Sequence, residues 1–269
     1  MRFSTHEEKS IFRKKLIKND LVVGTWVNTL KDPLIAKMIG YAGFDYMLID
    51  EEHSGVTMAS ISEMCVLSKE CGVYPMIRPV DPDNLKMNGR LLDAGVMGLF
   101  VSHIENAAHA KAIVNSMRYF NGGTRGCNSR SIASGFEKVD EEMMHRSDKE
   151  VTCLVSFESE SAIEQADEIL AVDGVDIASI GRTDLSHDLG LSGRNDDDRV
   201  IGMVEKVFEA AKRNNKVAGL LVNNAEEAKH WINKGVRFLS FGSEVTLLLS
   251  SYQNGIKAAR AAFKEIGSL

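Results

Sequence analysis

Residues 42–53 read AGFDYMLIDEEH. A glycine closes an amphipathic stretch, Tyr46–Ile49 form an unbroken apolar run, and the run ends in charge at Asp50, Glu51, Glu52 and His53. A short apolar run without alternation fits a strand buried on both faces, as in a parallel sheet covered by helices. The same grammar returns in AGVMGLFVS (94–102), VDGVDIASIG (172–181) and KGVRFLSFG (234–242). In each, a helical pattern stops at a glycine, namely Gly43, Gly95, Gly174 and Gly235. Glycine there suits the positive φ with which helices commonly end.

Working outward from these units gives eight expected strands, at 21–27, 46–50, 74–79, 97–104, 152–158, 176–181, 217–222 and 238–242. Helical patterns lie at 32–42, 57–71, 83–94, 106–118, 160–171, 199–214, 225–234 and 245–265. Alternation of this kind without a composition break predicts an α/β fold, a single-domain (β/α)8 TIM barrel over 1–269. An open doubly wound sheet is the alternative, but no GxGxxG follows the first strand and no P-loop is present. Segment 120–150 breaks the rhythm and reads as an insertion after the fourth helix. Its first half is rich in Gly, Ser and Asn and its second half resembles a short acidic helix, so it suits a surface loop, a lid or a subunit contact.

Composition narrows the function. Apolar residues make up 44% of the 269, enough for a sizeable core, and charged residues 26%. The net charge of −6 gives no reason to expect nucleic acid as a partner. Cys65, Cys71, Cys127 and Cys153 form no CxxC pair and no zinc-like cluster, which fits reduced thiols in a cytoplasmic protein. The opening stretch MRFSTHEEKSIFRKKLIKND is polar, helical in character and without the apolar centre of a secretory signal. No apolar run approaches the ~20 residues of a membrane span, so no membrane partner is expected.

In a barrel of this type the chemistry sits at the C-terminal ends of the strands. Strand two ends in Asp50 and is followed by His53, strand three ends in Arg78, strand five ends in Glu158, and strand six leads into Arg182, Thr183 and Asp184. Each has a plainer reading. Asp184 could cap a short helix over LSHDLG, Arg78 could be a structural partner of Asp50, and His53 could be an ordinary loop histidine. Together they place carboxylates, a histidine and an arginine at one mouth. Two carboxylate ligands suit Mg²⁺ or Mn²⁺ and leave positions for a chelating 2-oxo acid. Arg78 would then face the enolate oxygen, His53 would move the proton, and the GRTDL loop would offer backbone N–H groups to the substrate carboxylate.

At these positions the chain resembles the metal-dependent (class II) pyruvate aldolases of the HpcH/HpaI type, which include 4-hydroxy-2-oxoheptanedioate and 2-dehydro-3-deoxyglucarate aldolases. The motifs that carry the resemblance are GTWV (24–27), AGFDYMLIDEEH, PMIRP (75–79), LLDAG (91–95), RGCNS (125–129), VSFESESAI (155–163), GVDIASIGRTDLSHDLG (174–190) and FGSEVTLL (241–248). The resemblance implies His53 as acid/base, with Asp50 of the same motif, and Arg78 at the enolate. It implies Glu158 and Asp184 as ligands of a divalent cation (Mg²⁺, Mn²⁺ or Co²⁺), and Asp93 as a catalytic group approaching a neighbouring subunit's histidine. Arg125 and Gly126 match the family's RG loop. It also implies a homohexamer with the tail helix 245–265 between subunits. Trp26, Ser156, Arg182 and Thr183 are the candidate substrate contacts.

The chain departs from the family around the substrate. Ser156 replaces the usual Gln, GRTDLS replaces GPADLS or GPNDLS, Glu51 replaces a small residue, Ser102-His103 replaces Pro-Met, and YFN replaces YPP before Arg125. The expected function is cleavage of a 4-hydroxy-2-oxo acid to pyruvate, or a related 2-oxo acid, and an aldehyde. The alternatives are oxaloacetate decarboxylation, a carbon–carbon bond-forming synthase, and a catalytically weak protein that binds a metal and a dicarboxylate.

Overall fold

The computed structural model describes residues 10–266. Eight parallel strands close into a barrel in sequence order, with β8 returning to β1. They are β1 (Val22–Val27), β2 (Tyr46–Asp50), β3 (Tyr74–Arg78), β4 (Gly98–Val101), β5 (Thr152–Phe157), β6 (Val175–Ile180), β7 (Val217–Val222) and β8 (Phe238–Ser243). Outside them lie α2 (Ile35–Tyr41), α3 (Met58–Glu70), α4 (Leu85–Asp93), α5 (Ala107–Met117), α7 (Glu160–Glu164), α8 (Ala166–Leu170), α10 (Asp198–Arg213) and α11 (Ala225–Asn233). Among the described residues, no helix is long and apolar enough to cross a membrane.

The eight expected strands are all found, with ends moved by a residue or so except at β4. Its expected span, 97–104, contracts to Gly98–Val101 because His103 adopts φ +52°, which no strand accommodates. The expected helix 160–171 is two helices, α7 and α8, parted at Gln165, whose amide donates to the carbonyls of Glu105 and Ser161. The four glycines expected at helix ends have φ of +88° (Gly43), +107° (Gly95), +101° (Gly174) and +97° (Gly235).

Strand alternation sorts the side chains into an outer layer under the helices and an inner layer inside the barrel. The inner layer is unusually aromatic, with Tyr46, Tyr74, Phe100 and Phe238 buried together. Glycine makes room for them. A Cβ on Gly24 would lie 2.4 Å from the Tyr46 ring, and one on Gly219 would lie 2.8 Å from the Phe238 ring. Helix α1 (Ile11–Lys18) closes the floor, stacking Phe12 on Tyr74 with ring centres 3.9 Å apart. This helix accounts for the helical part of the polar opening stretch; residues 1–9 lie outside the described residues.

The 120–150 insertion carries α6 (Glu141–Glu150), the acidic helix expected there. It packs under the N-terminal ends of the strands, where it joins α1, Tyr74 and Met97 around a cavity of about 1570 Å³. Within its own chain it is therefore not a lid over the strand C-termini. Those ends are braced from the other side of the closure. Buried Glu244, at the start of α12 (Glu244–Ile266), accepts the backbone N–H groups of Asn28, Thr29 and Leu30 after β1.

Candidate active site

Period-two alternation along β2 points Tyr46, Leu48 and Asp50 inward. The same parity selects Tyr74, Met76 and Arg78 on β3, and Leu154, Ser156 and then Glu158 at β5. The apolar layers are thus topped by one polar layer at the strand C-termini. Asp50 is fully buried. It accepts Arg78 Nε at 2.9 Å on Oδ1 and Arg78 Nη2 at 2.8 Å on Oδ2. It also turns the following loop, accepting the backbone N–H of Glu52 at 3.1 Å and of His53 at 3.3 Å. The Arg78 guanidinium lies over the Trp26 ring at 4.7 Å, and among the described residues its Nη1 has no hydrogen-bond partner. The Trp26 indole N–H is buried and, among the described residues, also without a hydrogen-bond partner.

Across the mouth stands Glu158, 7% exposed. Its Oε2 accepts the backbone N–H of His103 at 2.9 Å and lies 2.8 Å from His103 Nδ1. Burial pushes its carboxyl above the ordinary range; the Ser156 hydroxyl and His103 pull it down, and the Asp184 charge pushes it up again. Gly181 is where it is because a Cβ there would lie 2.7 Å from Glu158 Cγ and 2.9 Å from Oε1. Asp184 is exposed in the first turn of α9 (Arg182–Asp188), so the short helix foreseen after strand six exists and begins before Asp184. The two halves of the mouth are joined, since His103 Nε2 is 3.3 Å from Glu52 Oε1 and Glu52 Oε2 is 3.1 Å from Arg78 Nε. His53 stands beside them, exposed, with Nε2 3.9 Å from Glu52 Oε1.

Among the described residues no three His, Cys, Asp or Glu side chains form a ready-made metal cage. Glu158 and Asp184 are carboxylates that could hold a cation, the charge of Asp184 acting on Glu158.

The family model described as HpcH/HpaI aldolase/citrate lyase matches residues 23–251. The chain belongs to that family. A hydroxypyruvate/pyruvate aldolase of Pseudomonas aeruginosa is 32% identical over 242 residues, 89% of either chain. A 5-keto-4-deoxy-D-glucarate aldolase of Enterobacter sp. (strain 638) is 29% identical over 242 residues, 90% of this chain and 93% of its own. The crystal structure of an HpcH/HpaI aldolase from Desulfitobacterium hafniense DCB-2 is similar with a TM-score of 0.86 and 30% identity, over 94% of this chain and 97% of that one.

The expected site residues of this HpcH/HpaI chain divide into those at the mouth and those elsewhere. Trp26, Asp50, His53, Arg78, Ser156 and Glu158 gather at the mouth, with Thr183 and Asp184 exposed at its edge. Asp93 is not among them. It ends α4, which runs away from the mouth, and its Oδ1 accepts Arg125 Nη2 at 2.8 Å. Arg182 reaches neither site carboxylate. Its Nη2 donates to the Leu221 carbonyl at 3.0 Å and pairs with Glu227, tying α9 to β7 and α11. Glu52 and His103 were not among the expected site residues. The IDEEH stretch holds the signal for Glu52, two residues beyond a strand-end aspartate; Ser102-His103 stands out as a departure from the family, but a strand drawn through to residue 104 gave His103 no role.

Proposed function

We propose that this HpcH/HpaI-family protein catalyses the reversible aldol cleavage of a 4-hydroxy-2-oxo acid to pyruvate, or a related 2-oxo acid, and an aldehyde, with a divalent cation at Glu158 and Asp184. The observation that carries this reading is the unbroken chain of contacts from Glu158 through His103 and Glu52 to Arg78 and Asp50. It sets a buried carboxylate with an acidic neighbour against a cation and an exposed histidine.

The donor set fits a hard divalent cation. Two carboxylates of like charge act on each other, one of them buried, and Gly181 leaves space against Glu158 Oε1. Mg²⁺, Mn²⁺ or Co²⁺ with two such oxygens keeps positions for water and substrate. When bound, the cation supplies positive charge to the carboxylate and keto oxygens of a chelating 2-oxo acid.

The chain's own residues do the rest. Trp26 walls the pocket beneath Arg78, and Arg78 Nη1 meets the substrate's keto oxygen as it gains charge. In the cleavage direction His53 removes the proton of the C4 hydroxyl. The C3–C4 bond opens to release the aldehyde, and its electron pair passes into the enolate that Arg78 faces. A proton returned to C3 gives the 2-oxo acid. Asp50 holds Arg78 and the backbone of His53 throughout.

The same reading includes a homo-oligomer, a hexamer by family resemblance. Every described side chain of α12 from Leu249 to Lys264 is exposed, among them Leu249, Tyr252, Ile256 and Phe263, as are Leu34, Met38 and Tyr41 around α2. A second copy's α12 laid on α2 would cover both.

The test is an assay of chelator-treated protein with 4-hydroxy-2-oxo acids and with oxaloacetate, resupplied with Mg²⁺, Mn²⁺ or Co²⁺. Metal-dependent pyruvate release from the first substrates, faster than from oxaloacetate, is the expected result. Full turnover in chelator, or borohydride trapping of a lysine–substrate adduct, would sink the metal mechanism.

A further inference from the structure

His103 lies outside the roles assigned above, yet its ring stands between two site carboxylates, Glu158 and Glu52. It follows β4 and is held at φ +52°, a conformation unfavourable for a residue with a side chain. Such a backbone persists where its surroundings over-determine it. Here the determinants are visible. The residue donates its backbone N–H to Glu158 Oε2 at 2.9 Å and sets its Nδ1 2.8 Å from the same oxygen. The other carboxylate oxygen, Oε1, takes no hydrogen bond from His103 and lies on the side where Gly181 has no Cβ. The far edge of the ring, Nε2, is 3.3 Å from Glu52 Oε1.

We propose that His103 is a positioning residue that holds Glu158 Oε2 and so commits Glu158 to hold the cation through Oε1 alone; this rests on the metal reading above. A carboxylate with both oxygens free can swing or bind through both. One with an oxygen already held by a neighbour is restrained in rotation and presents a single donor. Partners of this kind typically account for 10–100-fold in metal affinity.

The ring's two nitrogens separate two contacts, which permits a graded test. His103→Gly keeps the backbone N–H, accepts the positive φ without strain and removes the imidazole. His103→Asn also tolerates that φ, and its amide nitrogen can take the place of Nδ1 while reaching no further toward Glu52. Mn²⁺ binding to metal-stripped full-length protein is measured by calorimetry, with the visible spectrum of the Co²⁺-loaded forms as a readout of coordination. The expected result is roughly 10–100-fold weaker Mn²⁺ binding and a shifted Co²⁺ spectrum for His103→Gly, with His103→Asn restoring both to near wild type. Melting of the metal-free forms checks folding, and the glycine variant is expected to melt no lower than wild type. Unchanged Mn²⁺ affinity and Co²⁺ spectrum in His103→Gly, while Glu158→Gln abolishes binding, would overturn the role of His103 and leave the metal site standing. If the wild-type chain takes up no Mn²⁺, both readings fall together.

Discussion

Asp50 and Arg78 face each other in the register of β2 and β3 and are joined at two points, Nε to Oδ1 at 2.9 Å and Nη2 to Oδ2 at 2.8 Å. A planar fork on a buried carboxylate fixes the plane of the guanidinium as well as its position. The pair therefore decides which edge of Arg78 remains for substrate. A lysine offers a charge without that plane. Arg78→Lys is expected to lower kcat by about 10²–10³-fold, the worth of one aimed donor, with Mn²⁺ affinity kept. Asp50→Ala leaves the arginine without its buried partner and is expected to lose about 3–5 kcal/mol of stability in urea titrations. Near-normal kcat in the lysine variant would remove Arg78 from the chemistry.

His53 is two-thirds exposed, and its Nε2 lies 3.9 Å from Glu52 Oε1. Its removal should thus cost almost no stability, within about 0.5 kcal/mol. As the proton carrier its loss should cost about 10²–10⁴-fold in kcat, with calorimetric Mn²⁺ binding intact. A stable His53→Ala protein of normal turnover would move the role to Glu52.

Burial, and after it the Asp184 charge, raises the Glu158 carboxyl above 4.5. The sign of the effect on stability follows. Below pH 4.5 the group is neutral in folded and unfolded chains alike. As pH rises from there toward the raised folded value, the unfolded chain gives up the proton first and stability falls. Metal-free wild-type protein is expected to lose more in Tm across this range than Glu158→Gln. Added Mn²⁺ should raise the wild-type Tm more at neutral pH than at pH 4.5. Parallel Tm curves for the two metal-free proteins would show that Glu158 carries no such cost.

Arg182 is tied to the Leu221 carbonyl and to Glu227, which also accepts the Asn223 N–H at 2.8 Å and donates its own N–H to the cap Asn224. That is a brace for the ends of β6 and β7. Arg182→Ala should lose about 1–3 kcal/mol, because a carbonyl and a half-buried carboxylate lose their partner. KM should shift equally for acidic and neutral aldehyde acceptors. A selective rise in KM for acidic acceptors would instead place the guanidinium on substrate.

The legible part of this protein was periodic. Apolar runs ending in charge placed β2, β3 and β5 to within a residue, and with them Asp50, Arg78 and Glu158, because inward parity and strand end are properties of local sequence. The glycine echoes marked helix ends for the same reason. What was not legible depends on conformation at one residue or on the far ends of long side chains. Nothing in GLFVSHI announces that His103 leaves the strand with positive φ and turns back to Glu158. The sequence around GRTDLS placed Arg182 at the mouth, but only the fold supplies Leu221 and Glu227 as its acceptors. The resemblance has Asp93 approach a neighbouring subunit's histidine; within its own chain it accepts Arg125 Nη2.

Glu244 reaches back 216 positions to the N–H of Asn28, and β8 is the strand that covers the second edge of β1. On the ribosome β1 emerges well before its closing partner β8. At about 5–20 residues per second that interval is roughly 10–40 s, during which the growing sheet carries an unpaired edge at each end. Translation that stops short of β8 would release a fragment with both edges open, each a template for pairing with another chain.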